Sequence, residues 1–361
     1  YNQNVTTGRL ISRTTLRLGL ATPAFIHNSS YFLVNLQVYE DGLVNCWELL
    51  DLKLFEKKLD EGWVVPGVPD GEDLSVHGLG NFKLRAGKWK DSPATLLARV
   101  RALVRELNPQ LHNLHNCHGQ TERLEGKMRV SILGSPEERR LRRNDDFRRS
   151  AIHGDHVSLL YKQQGEVFLA DVRAFADGSV EIGRVPEPVV TDLDGVCAAI
   201  EKRALFTKPR KGTRVFVHGL GSFEVEKARF ITGAQDMLRD LRDIVETLNG
   251  RADSSMRCRD AYEAFVADPT TARRDALRTA YEAVPEHNRM YVLRDQDVKD
   301  IPIRMIVYGD KEIENWSHRA VARARGDALP TITVPKVKDK AVRHGTTTRR
   351  AASRKGSSKK R

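Results

Sequence analysis

The heptapeptide Val76-His77-Gly78-Leu79-Gly80-Asn81-Phe82 returns 141 residues later as Val217-His218-Gly219-Leu220-Gly221-Ser222-Phe223. The match continues downstream. Leu97, Arg101, Val104, Leu107 and Asn108 meet identical residues at Leu238, Arg242, Val245, Leu248 and Asn249, and Asp51-Leu52 meets Asp192-Leu193. Further upstream the offset is 136. There Asp41-Gly42 meets Asp177-Gly178, and Phe32-Leu33 meets Phe168-Leu169. The five-residue difference falls near Arg184-Val185-Pro186-Glu187-Pro188, where prolines favour a loop insertion. Two copies are too few for a solenoid, so the repeat marks a duplicated domain.

Each copy reads as a short series of elements. Phe32, Val34, Leu36 and Val38 alternate with more polar neighbours, as do Phe168, Ala170, Val172 and Ala174, which is strand periodicity. Asp41-Gly42 and Asp177-Gly178 stand where a hairpin needs positive φ. A helix follows near Asp51 to Leu59 and near Asp192 to Leu205, where Asp192 and Asp194 are good N-terminal residues. A strand pair then flanks the shared motif, Leu74 to Leu84 and Arg214 to Phe230. Leu97, Val100, Val104 and Leu107, matched by Leu238, Leu241, Val245 and Leu248, form the stripe of a second helix that ends at Asn108-Pro109 or Asn249-Gly250. The expected class is α+β. It comprises two duplicated β-hairpin/helix/β-hairpin/helix units, then a smaller mixed α/β segment and a disordered basic tail.

The corresponding boundaries are an N-terminal extension over 1–19, a first repeat over 20–111 and a charged linker with a His/Cys cluster over 112–155. The second repeat covers 156–252, a mostly helical segment covers 253–329, and the tail covers 330–361. In the third segment, two short helices are split by Asp268-Pro269, Ile301 to Tyr308 reads as a strand, and Lys311 to Arg325 reads as a helix. The chain starts at Tyr1, as a fragment or processed product would, and the basic, Thr-rich first twenty residues only weakly resemble a transit peptide.

Charge separates the tail from the rest. The chain has 60 Lys+Arg and 48 Asp+Glu, a net of +12. Lys336 to Arg361 holds eleven basic residues against Asp339, which leaves +2 for residues 1–335. Beyond Val342 the only apolar side chains are alanines, so the tail cannot offset its ordering entropy by burial. A flexible polycation attracts polyanions through counterion release, which makes Arg349, Arg350, Arg354, Lys355, Lys359, Lys360 and Arg361 the candidate nucleic-acid contacts. The tail has no aromatic residue for base stacking. Four cysteines do not make a secreted disulfide framework, and no apolar run reaches the ~18 residues of a membrane span. The expectation is an intracellular protein, cytoplasmic or, in a eukaryote, nuclear, with no membrane partner.

Candidate chemistry is sparse. His77 and His218 read as paired imidazoles or, more readily, as residues of a structural Gly-Leu-Gly turn anchored by Phe82 and Phe223. Gly-Leu-Gly lacks the rest of a dinucleotide fingerprint or P-loop. His112, His115, Cys117 and His118 are zinc-type ligands, yet their spacing matches no standard zinc pattern and the histidines are not duplicated. Cys46 and Cys197 read as small core residues. Glu314 and His318, at i and i+4, would share a helical face as an acid–base pair, a metal pair or a plain surface ion pair.

Three functional readings follow. The first is a non-enzymatic binding or adaptor protein whose basic tail contacts nucleic acid or another polyanion, with no cofactor. The second is a metal- or His-dependent hydrolase acting on nucleic acid or nucleotides, drawing on His77, His218, Glu314 or His318, with zinc as its metal. The third is a protein-interaction module with a solubilising tail.

Overall fold

The computed structural model describes residues 19–111, 114, 122–125, 128–131 and 154–338. It divides into two compact units. One holds the described residues up to Arg257 together with Glu282–Arg289, and the other holds Cys258–Tyr281 and the described residues from Met290 onward.

In the first copy, β1 (Gly19–His27) and β2 (Tyr31–Tyr39) form a hairpin with Phe25 opposite Leu33. The Asp41-Gly42 turn leads to β3 (Val44–Cys46) and β4 (Glu48–Leu50). Gly42 takes φ +80° and its N–H donates to Tyr39 O, while Asp41 accepts from the Leu43 N–H. Asp51 caps α1 (Leu52–Asp60) by accepting from the Leu54 N–H. Strand β5 (Val64–Val65) returns to β1, and β6 (Asp73–Val76) and β7 (Gly80–Trp89) carry the shared motif between them. Ser92 and Thr95 build a capping box at the start of α2 (Pro93–Leu107). Between the copies, β8 (Glu122–Glu125) and β9 (Met128–Ser131) form a separate two-stranded sheet among the described residues.

The second copy repeats this order. It runs β10 (Gly154–Gln163), β11 (Glu166–Phe175), β12 (Ser179–Gly183), β13 (Val189–Asp192), α3 (Leu193–Glu201, capped by Asp192) and β14 (Leu205–Phe206). It ends with β15 (Arg214–Val217), β16 (Gly221–Arg229) and α4 (Ala234–Leu248). The duplication reaches individual hydrogen bonds. Asn108 at the end of α2 donates to Glu40 O, and Asn249 at the end of α4 donates to Ala176 O, so each helix is tied to its copy's Asp-Gly turn. Each copy opens with a strand, β1 or β10, that was not among the expected elements. Pro23 interrupts the strand signal in β1, although it sits opposite Asn35 in the hairpin.

The copies share one 14-stranded sheet because β7 pairs antiparallel with β16. Each copy buries one face of its sheet under its own helices. In the first copy Ile26, Leu36 and Val38 meet Phe55, Leu96 and Val100; in the second, Leu159, Ala170 and Val172 meet Val196, Leu238 and Leu241. A third cluster is common to both copies and joins Leu74, Leu79, Phe82 and Leu84 to Val215, Leu220, Phe223 and Val225. The Phe82 and Phe223 rings lie 6.1 Å apart at its centre. Each buried phenyl contributes about 2–3 kcal/mol. Thus the phenylalanines of the repeated motif hold the copies together.

The remaining elements are helical. Helices α5 (Ser254–Ala267) and α6 (Thr271–Ala283) are followed by the short α7 (Glu286–Arg289), then α8 (Ile301–Tyr308), a 3-10 turn over Asp310–Asn315, and α9 (Ser317–Arg325). Two expectations are corrected here. Ile301–Tyr308 is a helix and not a strand, so the described third segment is helical and not mixed α/β. Pro302 sits in the first turn, where a missing N–H costs nothing, and a run of eight residues that is apolar but for Arg304 is too short for periodicity to separate the two states. The described residues 330–338 are also packed and not disordered. Val334 is buried, Lys336 pairs with Asp310 at 2.5 Å, and the Lys338 N–H donates to Pro269 O.

Candidate functional site

The shared motif forms the same tight turn twice. The Leu79 N–H donates to Val76 O with Gly78 at φ +72°, and the Leu220 N–H donates to Val217 O with Gly219 at φ +82°. The second glycine of each motif answers to the other copy. A Cβ on Gly221 would stand 2.1 Å from Lys88 O, and one on Gly80 would stand 2.9 Å from Phe230 O. Backbone bonds cross at both places, from the Lys90 N–H to Leu220 O and from the Thr232 N–H to Leu79 O. Thr232 also donates to Gly78 O, and Arg99 to Gly219 O. The Gly-Leu-Gly turn is therefore a clasp between copies.

This arrangement separates the two motif histidines. Gly221 lies opposite Trp89 and Arg229 lies opposite Asn81, so the turns flank a ladder of roughly 25 Å at the usual rise per residue. Both imidazoles are exposed, at opposite ends, beyond the reach of one small substrate.

At the His218 end, a groove of about 430 Å³ opens between the copies. Phe168 and Phe216 form its apolar wall, with rings 5.5 Å apart, and Ser222 is buried beside them. Lys88 and Lys90 come from the end of β7 in the other copy; both are exposed, and they stand with His218 around the groove. At the His77 end the equivalent positions are occupied differently. Arg229 replaces Lys88 and is engaged by Asp73 at 3.4 Å, Ile231 replaces Lys90, and Ser75 replaces Phe216. Among the described residues, therefore, one end of the duplicated body combines unpaired lysines with two facing aromatic residues, and the other does not. Sequence reading missed Lys88, Lys90, Phe216 and Ser222, because the residues that complete the groove are some 130 positions away in the chain. The available signal was the divergence of these positions between otherwise matched copies.

A second cluster was also hidden. Along α4, Asp236, Asp240 and Asp243 receive the chain that leaves the duplicated body and later returns to it. Asp243 accepts from Ser254 and pairs with Arg257, Asp240 pairs with His287 Nε2 at 2.9 Å and accepts from Asn288, and Asp236 accepts from the Glu286 N–H. The hydrogen bond that His287 donates to Asp240 raises the His287 pKa, against the opposing effect of burial. In the second copy, the buried Asp171 carboxylate is met by Arg184 Nε at 2.9 Å, and burial lowers the pKa of that guanidinium.

Other candidates are dispersed. Glu314 pairs with Arg319 and Arg323, while His318 stacks on Trp316. They do not act as a helical i, i+4 pair, since the 3-10 turn ends at Asn315 and α9 starts at Ser317. Cys46 is buried, and its thiol pKa is pushed up to about 12 by that burial, as befits a core residue; Cys197 is partly buried against the core of the second copy. His112, His115, Cys117 and His118 lie outside the described residues, as do Arg349, Arg350, Arg354, Lys355, Lys359, Lys360 and Arg361. Among the described residues, no group of three metal-ligating side chains comes together and no helix is long and apolar enough to cross a membrane.

The family described as Domain of unknown function (DUF7638) matches residues 11–111 and matches again over 142–252. The chain belongs to this family. Its two DUF7638 regions are the two copies joined by the β7/β16 ladder, and the groove is built from both. A second family, Domain of unknown function (DUF7639), matches residues 253–340, the helical part that follows the DUF7638 pair. No curated protein and no solved structure matches the chain.

Proposed function

We propose that this protein is a non-enzymatic nucleic-acid-binding or adaptor protein of the cell interior, in which the DUF7638 pair holds a single strand in the groove beside His218. The observation that carries this reading is the convergence of Lys88 and Lys90 from one copy with His218, Phe168 and Phe216 from the other. Ammonium groups at a groove mouth attract phosphates, and aromatic walls favour bases that are already unstacked. The equivalent site at the His77 end has lost this combination, which supports one binding groove per chain in place of two. The run from Asp339 to Arg361, with nine basic residues, adds a second, sequence-independent electrostatic contact.

The experiment compares binding of a fluorescent single-stranded oligonucleotide across a salt series. The proteins are full-length wild type, a Lys88→Glu/Lys90→Glu variant, and a chain ending at Lys338. The groove variant is expected to bind at least tenfold more weakly. Its salt slope should be shallower by roughly 0.7 for each phosphate that the lysines no longer neutralise. The shortened chain should lose affinity as well, yet keep a difference between wild-type and variant grooves. Equal binding by all three proteins would overturn the reading and leave the interaction-module alternative.

A further inference from the structure

We propose that the corner formed by Phe32, Trp47 and Trp63 in the first copy binds a quaternary or alkylated ammonium group. The rings stand steeply to one another. Phe32 and Trp47 have centroids 5.2 Å apart at 62°, and Trp47 and Trp63 have centroids 6.3 Å apart at 80°. In such contacts the edge of one ring meets its neighbour, which leaves the outer ring faces uncovered by the pair, and an uncovered ring face is the electrostatic requirement for holding a poorly hydrated cation. One face already carries an ammonium, since Lys58 Nζ lies 4.8 Å from the Trp63 centroid. Glu48, 3.7 Å from the same ammonium, adds a carboxylate beside the rings.

Two observations separate this corner from ordinary core packing. Trp47 is 56% exposed, so it leaves a large apolar ring in water. It also adopts φ +73°, a left-handed conformation that costs a bulky residue of order 1 kcal/mol or more. The second copy has a positive-φ residue at the matching turn, Arg184 at +58°, whose side chain closes on the buried Asp171. The turn is thus a property of the fold, while the tryptophan placed on it is not. Trp63 and Lys58 are likewise unmatched, with Ala204 and Ala199 in their places. The fold requires none of the three.

The occupant follows from hydration. The Lys58 ammonium is strongly hydrated and has Glu48 to hold it. A trimethylammonium head has no N–H donors to satisfy, spreads its charge over methyl groups, and gains more from the ring faces. It would displace Lys58 or occupy the open faces of Phe32 and Trp47.

Choline chloride is the probe, titrated into full-length protein at constant ionic strength and followed by broadening and upfield shift of its methyl proton resonance. Saturable binding is expected, at least tenfold weaker in Trp47→Ala and partly retained in Trp47→Phe. Lys58→Ala should bind several-fold more tightly. Trp47 is more than half exposed, so its variants are expected to remain folded, and a thermal melt of each separates a loss of binding from a loss of fold. The neutral isostere 3,3-dimethylbutanol should bind at least fivefold more weakly than choline. An unchanged titration in Trp47→Ala, or equal binding of the isostere, would overturn the proposal.

Discussion

Leu84 and Val225 are the same position in the two copies, 141 residues apart, and they pair with each other in the β7/β16 ladder. The ladder runs symmetrically outward from them, with Lys83 opposite Lys227 on one side and Glu224 opposite Ala86 on the other. The register skips Arg85 in one strand and Glu226 in the other, so even the irregularity is duplicated. This centre lies on a pseudo-twofold axis. The charges across it are not symmetric, because Lys83 and Arg85 of the first copy face Glu226 and Glu224 of the second, at 3.8 and 2.9 Å.

That asymmetry predicts a charge-reversal rescue. Lys83→Glu/Arg85→Glu puts four carboxylates together and should lower stability by about 1–2 kcal/mol, since each partly exposed pair is worth little but like charges repel. Adding Glu224→Lys/Glu226→Arg should recover most of the loss. Urea midpoints of the three proteins test it, and a quadruple variant no more stable than the double would count against the paired seam.

The clasp glycines can be separated from glycines that merely turn the chain. Gly221→Ala should cost about 3 kcal/mol or more, because the new methyl meets the Lys88 carbonyl at 2.1 Å and φ is +142°. Gly165→Ala, at φ +83° with open space around it, should cost only about 1 kcal/mol. Thermal melts of both variants provide the comparison. Similar losses would mean that φ alone matters and that the approach of the copies does not.

His287 should make stability depend on pH. Its folded pKa is raised by Asp240 above the unfolded value of about 6.5. The charged pair therefore contributes fully below about pH 6.5, and the contribution is lost as pH rises through the folded value. The difference in unfolding free energy between wild type and His287→Gln should shrink between pH 6 and pH 9. A difference that is flat or grows over that range would contradict the ion pair.

Breaking the Arg184–Asp171 pair should be costly. Arg184→Met leaves a largely buried carboxylate with its main partner gone, and a loss of about 2–4 kcal/mol is expected. Arg184→Met/Asp171→Leu should restore part of it, because two apolar groups need no partner. Chemical denaturation of both variants decides the point.

Much of this architecture is local, and local patterns are legible. The repeat announced two copies. The Asp-Gly turns, the aspartate caps at Asp51 and Asp192, and the leucine stripes of α2 and α4 placed the elements, because each depends on residues within a few positions of one another. Short runs with conflicting signals were not legible. Pro23 masked a strand, and Ile301–Tyr308, apolar but for Arg304, took its helical state from its surroundings.

The functional surface belongs to the second kind of information. The amino-acid sequence by itself determined that this chain has two like copies, a distinct third segment and a strongly basic end. Only the tertiary structure decided that the copies share one sheet, that this sheet sends His77 and His218 to opposite ends, and that Lys88 and Lys90 meet Phe168 and Phe216. The reason is physical. Strand pairing between distant segments is selected by complementary charge, close backbone approach and shared burial, and these quantities exist only once both partners are in place.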